Sequence, residues 1–256
     1  RRSQSRLWWC WAGSLRDFAP KSHGIVGVRL MGHVFVYGTL RHVPLLEIVL
    51  DRPCSTIAMQ PARLPDISVF WALQGVFPMI KKTTGRDAEG LLLTDLDDAD
   101  IKRLDFYESG YGYALQASVL RSGEKAQVYF PPVSGVTAGE PWDLRAWERE
   151  NAELTCLAAK EVMLYMSERT PQEVVQMYPM IRARAASELM AKEVRHGAGT
   201  LRGKVNVLKR ERKYSDYFAL DVLTLDHERF DGRMSDTLSR AVFIGTDAAI
   251  VLPYDA

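Results

Sequence analysis

The sequence predicts an α+β protein in which a small mixed β-barrel or sheet comes first, a helical connector follows, and a second β-rich segment closes the chain. Three observations predict it. Short apolar or alternating runs bounded by glycine and proline recur between residues 31 and 135. Helical spacing of apolar residues dominates between 140 and 200. β-branched and aromatic runs return between 203 and 256.

In the first segment, Val34–Tyr37 reads as a short buried strand and Glu89–Leu93 as another. Leu115–Leu120 and Ala126–Phe130 alternate, with Arg121-Ser122-Gly123-Glu124 as the turn between them. One helix is expected from Asp97 to about Glu108. Asp97 is its N-cap, Asp98 and Asp100 suit its positive end, and Ile101, Leu104 and Tyr107 share a face. Pro131, Pro132, Gly135, Gly139 and Pro141 mark a boundary.

Beyond it, helices are expected from Trp142 to about Met166, from Thr170-Pro171 onward, and from Met180 to about Arg195. Thr170 is a capping residue and Pro171 suits the first helical position. Whether this connector packs on either neighbour is open at the level of sequence. Strands are then expected at Lys204–Leu208, Tyr217–Asp226 and Ala248–Leu252, with Asp231-Gly232 as a turn and the basic run Lys209–Lys213 as a solvated hairpin.

Residues 1–30 stand apart. They begin with Arg1, carry Trp8, Trp9 and Trp11, and lack both a signal-peptide core and a membrane span. Met31 is the expected natural start, and what precedes it reads as a non-native or disordered leader. The whole chain of 256 residues has a formal net charge of +1, so no global field favours nucleic acid or a membrane surface. Its three cysteines are widely spaced and no CxxC, HExxH or Cys/His cluster occurs, which supports neither a disulfide framework nor a metal site. A reducing cytoplasm is the expected location.

Two segments carry chemistry. In Tyr37-Gly38-Thr39-Leu40, Gly38 permits a positive φ, so that successive backbone N–H groups can converge on an anion or oxyanion. In Tyr107-Glu108-Ser109-Gly110-Tyr111-Gly112-Tyr113, one acid ends a helix among tyrosines. The helix dipole and partial desolvation by Tyr107, Tyr111 and Tyr113 both push the Glu108 pKa upward, toward a general acid/base near neutrality. His33 and His42 flank the loop and read as surface residues rather than catalysts.

Val34–Arg41, Glu89-Gly90 before an apolar strand, Leu104-Asp105 before Tyr107-Glu108, and Val128-Tyr129 together resemble the gamma-glutamylcyclotransferase-like fold, in its gamma-glutamylamine cyclotransferase-like branch, over residues 33–132. The resemblance implies that a gamma-glutamyl compound cyclises to 5-oxoproline and a free amine. Glu108 would be catalytic, Tyr37, Gly38, Thr39, Leu40, Pro78 and Tyr113 would bind substrate, and neither metal nor cofactor would be needed. The segment His42-Val43-Pro44-Leu45 departs from the family, which often continues with basic and glycine-rich residues. A non-catalytic module that binds a small acid is the alternative for this part.

His227–Ser235, Arg240–Phe243 and Asp247–Asp255 resemble the start of an ADP-ribose pyrophosphatase-type Nudix domain over 203–256, a fusion order similar to bacterial tellurite-resistance-type Nudix proteins. The resemblance implies Mg2+ only in an intact Nudix domain, whose glutamate-rich box no stretch of this chain supplies. Asp95, Asp97, Asp98 and Asp100 read as helix capping instead. Hydrolysis of ADP-ribose or a nucleoside-diphosphate sugar is therefore not expected from these residues alone. Arg240 is the residue implied for phosphate contact, and the arm implies a homodimer.

Overall fold

The structure is a computed structural model that describes residues 32–132, 135–195 and 203–246. The leader at 1–30, Met31 and the expected strand Ala248–Leu252 lie outside the described residues. The chain divides into two compact units between Ala152 and Glu153.

The first unit is built on strands β1 (Val34–Val36), β2 (Ala58–Ala72), β3 (Pro78–Thr94), β4 (Ala114–Val119), β5 (Lys125–Phe130) and β6 (Ala138–Pro141). They form one sheet in the order β4-β5-β1-β3-β2-β6. β1 runs antiparallel to β3 and parallel to β5, so the sheet is mixed. The ladder does not close, because β4 and β6 are its two edges, and the expectation of a barrel gives way to an open sheet. One end nevertheless curls: the Arg121 amide beyond β4 donates to the Arg63 carbonyl of β2 at 2.9 Å.

β1 is buried along its whole length, which explains its unbroken apolar run. Phe35 and Tyr37 join a core with Leu64, Ile67, Ile80, Leu92 and Val128, while Val34 and Val36 fall on the opposite face by the period of two and are also buried. Gly90 has a packing reason. A β-carbon there would fall 2.4 Å from both the Phe35 ring and the Val36 carbonyl.

Several elements depart from the sequence reading. Helix α1 (Val43–Leu50) follows the glycine loop, with a proline in its first turn and Leu45, Leu46, Val49 and Leu50 buried. β2 was hidden by Pro61 and Pro65, which depress a strand assignment; both nonetheless pair with β3. A bulge at Asp66, whose φ is 56°, lets β2 continue. The second helix, α2 (Asp98–Ser109), follows the reading closely. Asp97 caps it and forms a reciprocal box with Asp100, so these acids serve helix capping. Arg121–Glu124 is the β4–β5 turn, with Gly123 at a φ of 90°. The stretch Pro131–Pro141, read as a boundary, also supplies β6, which pairs with β2.

Helix α3 (Leu144–Leu164) begins in the first unit. Helix α4 (Pro171–Arg195) runs unbroken through Pro179, where the sequence suggested two helices. The Thr170 amide and hydroxyl both donate to Glu173 at the start of α4, at 2.7 and 2.8 Å. β7 (Val205–Ser215), β8 (Ala219–His227) and β9 (Leu238–Ile244) form a three-stranded antiparallel sheet.

The basic run Lys209–Lys213 lies on β7 of the β7–β8 hairpin, with Lys209, Arg210 and Lys213 exposed as expected and Arg212 drawn inward. Arg212 and Arg210 both bond the carboxylate of Asp221, which is only 1 % exposed. Arg184 of α4 pairs with Glu161 of α3 and donates to the Ser215 hydroxyl at 3.2 Å and the Asp216 carbonyl at 2.9 Å. Arg212 also reaches Glu161 at 2.8 Å. The two helices are thereby joined to the β7–β8 hairpin by buried, mutually satisfied charges, an arrangement that specifies one packing.

Candidate active site

β1 delivers Tyr37 and then a tight turn. Thr39–Arg41 form a single 3-10 turn, closed by Arg41 N–H to the Gly38 carbonyl at 3.1 Å and His42 N–H to the Thr39 carbonyl at 2.9 Å. Among the described residues, the amides of Gly38, Thr39 and Leu40 donate to no backbone carbonyl. The Leu40 side chain is buried, leaving only its backbone for a ligand.

The reason for glycine at 38 differs from the one read from sequence. Its φ is −116°, not positive. A β-carbon would instead meet Pro78 Cγ at 2.4 Å. Pro78, the first residue of β3, thus packs directly on the turn. The Tyr113 hydroxyl donates to the Pro78 carbonyl at 3.1 Å, which ties Tyr113 to the same place. Tyr37 is buried and its hydroxyl donates to the Tyr129 carbonyl at 2.9 Å. The Tyr129 hydroxyl in turn donates to Asp105 at 2.6 Å.

Glu108 sits in the last turn of α2, where no basic residue offsets it. It keeps partial exposure, yet its neighbours desolvate the carboxyl and push its pKa up to about 7. Burial also raises the hydroxyls of Tyr37, Tyr113 and Tyr129, and the charge of Glu108 adds to the rise at each of them. That shared electrostatic influence puts the Glu108 carboxyl among the three tyrosines, and through Tyr113 and Pro78 it is connected to the Gly38 turn. Tyr37, Gly38, Pro78, Tyr113 and Glu108 therefore converge.

Tyr129 and Asp105 complete the group and were not singled out as site residues. Their signal was present in Leu104-Asp105 and Val128-Tyr129, whose spacing says nothing about which side chains meet. Tyr107 and Tyr111, expected to desolvate Glu108, are only partly buried. His42 is half-buried against Glu148 rather than free on the surface. Arg240 lies exposed on β9, in the other unit, with its guanidinium donating to the Ser239 carbonyl at 2.9 Å.

Residues 34–149 match the family described as gamma-glutamyl cyclotransferase, AIG2-like. The match supports a cyclotransferase-like domain over that part of the chain. Protein AIG2 C of Arabidopsis thaliana is 25 % identical over 140 residues, covering 52 % of this chain and 77 % of that protein. A solved structure titled gamma-glutamyl cyclotransferase aligns with 13 % identity and a TM-score of 0.37, over 58 % of this chain and 98 % of the other.

A shorter likeness is of another kind. An ADP-ribose pyrophosphatase of Escherichia coli K12 is 37 % identical over 51 residues, which is 20 % of this chain and 24 % of that enzyme. The chain thus spans about a quarter of the length of the pyrophosphatases it matches.

Proposed function

We propose that the first unit catalyses the intramolecular aminolysis of a gamma-glutamyl amine, yielding 5-oxoproline and a free amine. The single observation that carries the reading is a carboxyl with a pKa of about 7 whose charge acts on Tyr37, which precedes the Gly38 turn, and on Tyr113, which bonds the Pro78 carbonyl beside it.

Ionised Glu108 takes a proton from the substrate's α-ammonium. The freed amine attacks the γ-carbonyl carbon, forming the ring N–C bond, and negative charge develops on the carbonyl oxygen. Amides of Gly38, Thr39 and Leu40 stabilise that oxygen and hold the α-carboxylate. Glu108 then returns the proton to the departing nitrogen as the old C–N bond breaks and the carbonyl re-forms, and the second proton of the ring nitrogen passes by the same carboxylate to the freed amine. Because nucleophile and electrophile share one molecule, orientation supplies much of the rate. The protein contributes one proton shuttle, and no cofactor enters the scheme.

The test is release of 5-oxoproline from a panel of gamma-glutamyl amines by the parent protein and by Glu108→Gln. A loss of about 10²–10⁴ in turnover is expected. Binding of 5-oxoproline without turnover by the parent would instead identify a small-acid binding module.

From the sequence resemblance over 203–256 we further propose a second reading for the remaining part, in keeping with the 51-residue likeness to ADP-ribose pyrophosphatases. Here the second unit is the opening arm of a Nudix-type hydrolase, with Arg240 as its phosphate contact and Mg2+ bound only by an intact domain. The proposed partner of the whole is a small molecule, in keeping with the near-balanced charge, rather than nucleic acid or a membrane. Among the described residues no helix is long and apolar enough to cross a membrane, and a cytoplasmic location is part of the proposal.

A further inference from the structure

His42 is the hinge of the glycine turn, and every hydrogen-bonding group the structure pairs on it serves to fix that turn. Its N–H closes the 3-10 turn on Thr39, and its carbonyl accepts the amides of Leu45 and Leu46 at 3.0 and 3.1 Å, starting α1. Its Nδ1 lies 2.9 Å from Glu148 Oε1, and its ring meets the edge of Trp147 at a centroid distance of 5.8 Å.

Trp147 and Glu148 belong to the first turns of α3, which are themselves anchored. The Ala146 and Trp147 amides both bond Asp143, each at 3.1 Å. Trp147 is fully buried, and its indole N–H donates to the Val76 carbonyl at 3.1 Å. Val76 lies two residues before Pro78, the residue that presses on Gly38. The turn is thus gripped at both ends by a single assembly: Pro78 at Gly38, and Trp147 with Glu148 at His42. Trp142 and Trp71 continue the packing, with ring centroids 6.3 Å from Trp147 to Trp142 and 4.3 Å from Trp142 to Trp71.

We propose that His42 and Glu148 are a positioning pair that holds the amides of Gly38–Leu40 in the geometry needed to bind an anionic head group. The claim that this geometry serves substrate binding rests on the cyclotransferase reading; the mechanical claim does not. Neither residue touches the reacting atoms in this scheme. The pair acts on capture of the substrate's carboxylate and on the amides that face the oxyanion, and the proton shuttle at Glu108 is left alone.

The experiment compares the parent with Glu148→Ala, His42→Ala and Glu148→Gln, which still accepts a hydrogen bond from Nδ1. Amide exchange followed by NMR at Arg41 and His42 reports the turn, and the Leu120 amide, bonded to Glu124 at 2.8 Å, serves as internal control. Glu148→Ala should speed exchange at Arg41 and His42 by about fivefold and raise KM for gamma-glutamyl amines by a similar factor, the scale of one half-exposed pair. Because the same amides also stabilise the oxyanion, kcat should fall by a similar factor while the acid limb of the pH profile stays in place; His42→Ala should exceed Glu148→Ala, and Glu148→Gln should restore parental values.

Unchanged exchange in both alanine variants overturns the positioning role, whatever turnover does. So does a loss of kcat with a displaced acid limb, which would make the pair part of proton transfer. Should the parent turn over no gamma-glutamyl compound, the cyclotransferase reading falls, and the exchange rates alone decide the mechanical claim.

Discussion

Pro78 Cγ occupies the space into which a β-carbon on Gly38 would project, at 2.4 Å. The contact joins the turn after β1 to the first residue of β3, two segments far apart in sequence. It makes position 38 a reporter of the site. Gly38→Ala must displace either the ring or the turn. A displacement near 1 Å at a reacting centre costs about 10²-fold in rate, against about 1–3 kcal/mol of overpacking in stability. Steady-state assays with a gamma-glutamyl amine and thermal melts should show an activity loss far larger than the fall in Tm. Parental activity in Gly38→Ala would remove the turn from the mechanism.

Under the proposed function, Glu108 sets the pH dependence expected for turnover. Its pKa of about 7 means that the base form required to accept a proton accumulates only as pH rises through that value. The kcat/KM should climb with pH along an acid limb centred near 7. A limb near 4.5, the ordinary value for a glutamate, would show that the active base is not desolvated.

The same shift has a stability consequence of defined sign. Burial raises the folded pKa of Glu108 from 4.5 to about 7, so the folded state binds the proton more tightly than the unfolded one. Below about 4.5 there is no penalty; between 4.5 and 7 rising pH destabilises the fold, and above 7 the full cost of about 1–3 kcal/mol is carried. Glu108→Gln should therefore melt higher than the parent at pH 8 and equal it near pH 4. A variant less stable than the parent at pH 8 would contradict a desolvated carboxylate.

In the second unit, Asp221 is the anion on which two arginines depend. Burial pushes its carboxyl up, but the hydrogen bonds from Arg212 and Arg210 outweigh this and hold it below the usual range. Its contribution is thus present above the ordinary carboxylate pKa and lost as pH falls through the depressed value. Asp221→Ala leaves Arg212 buried beside one remaining carboxylate, Glu161, and should cost about 3–5 kcal/mol. Hydrogen exchange across β7 and β8 measures it, and protection equal to the parent's would deny the network a structural role.

The three-stranded sheet and the β8–β9 connection expose large apolar side chains, among them Tyr214, Phe230 and Phe243, the last at 65 %. Exposed apolar surface of this kind promotes association. Light scattering should find dimers or larger species, and Phe243→Ser with Tyr214→Ser should shift them toward monomer. A monodisperse monomer of the parent chain would count against the arm as a dimer surface.

Legibility followed the range of the forces involved. Asp97, Thr170, Pro171 and Gly123 act within a turn of chain, so the cap of α2, the start of α4 and the β4–β5 hairpin could be read directly. β1 could be read because both of its faces are buried. β2 could not, since cross-strand pairing with β3 overrides what Pro61 and Pro65 suggest locally. α4 runs through Pro179 for a comparable reason: packing around Ile181, Arg184 and Ala185, all buried, sustains a helix that local preference would interrupt.

What the sequence determined by itself was the identity of the candidate parts: an acid ending a capped helix, a glycine after a buried strand, and tyrosines around both. Only the tertiary structure decided what surrounds each of them. Gly38 owes its place to Pro78 rather than to a positive φ, and Glu108 owes its pKa to the neighbours that desolvate it. Tyr129, Asp105, His42 and Glu148 enter because separate strands and helices bring them to one turn. Steric exclusion and desolvation depend on what surrounds an atom in space, and residue order along the chain specifies that only through the completed fold.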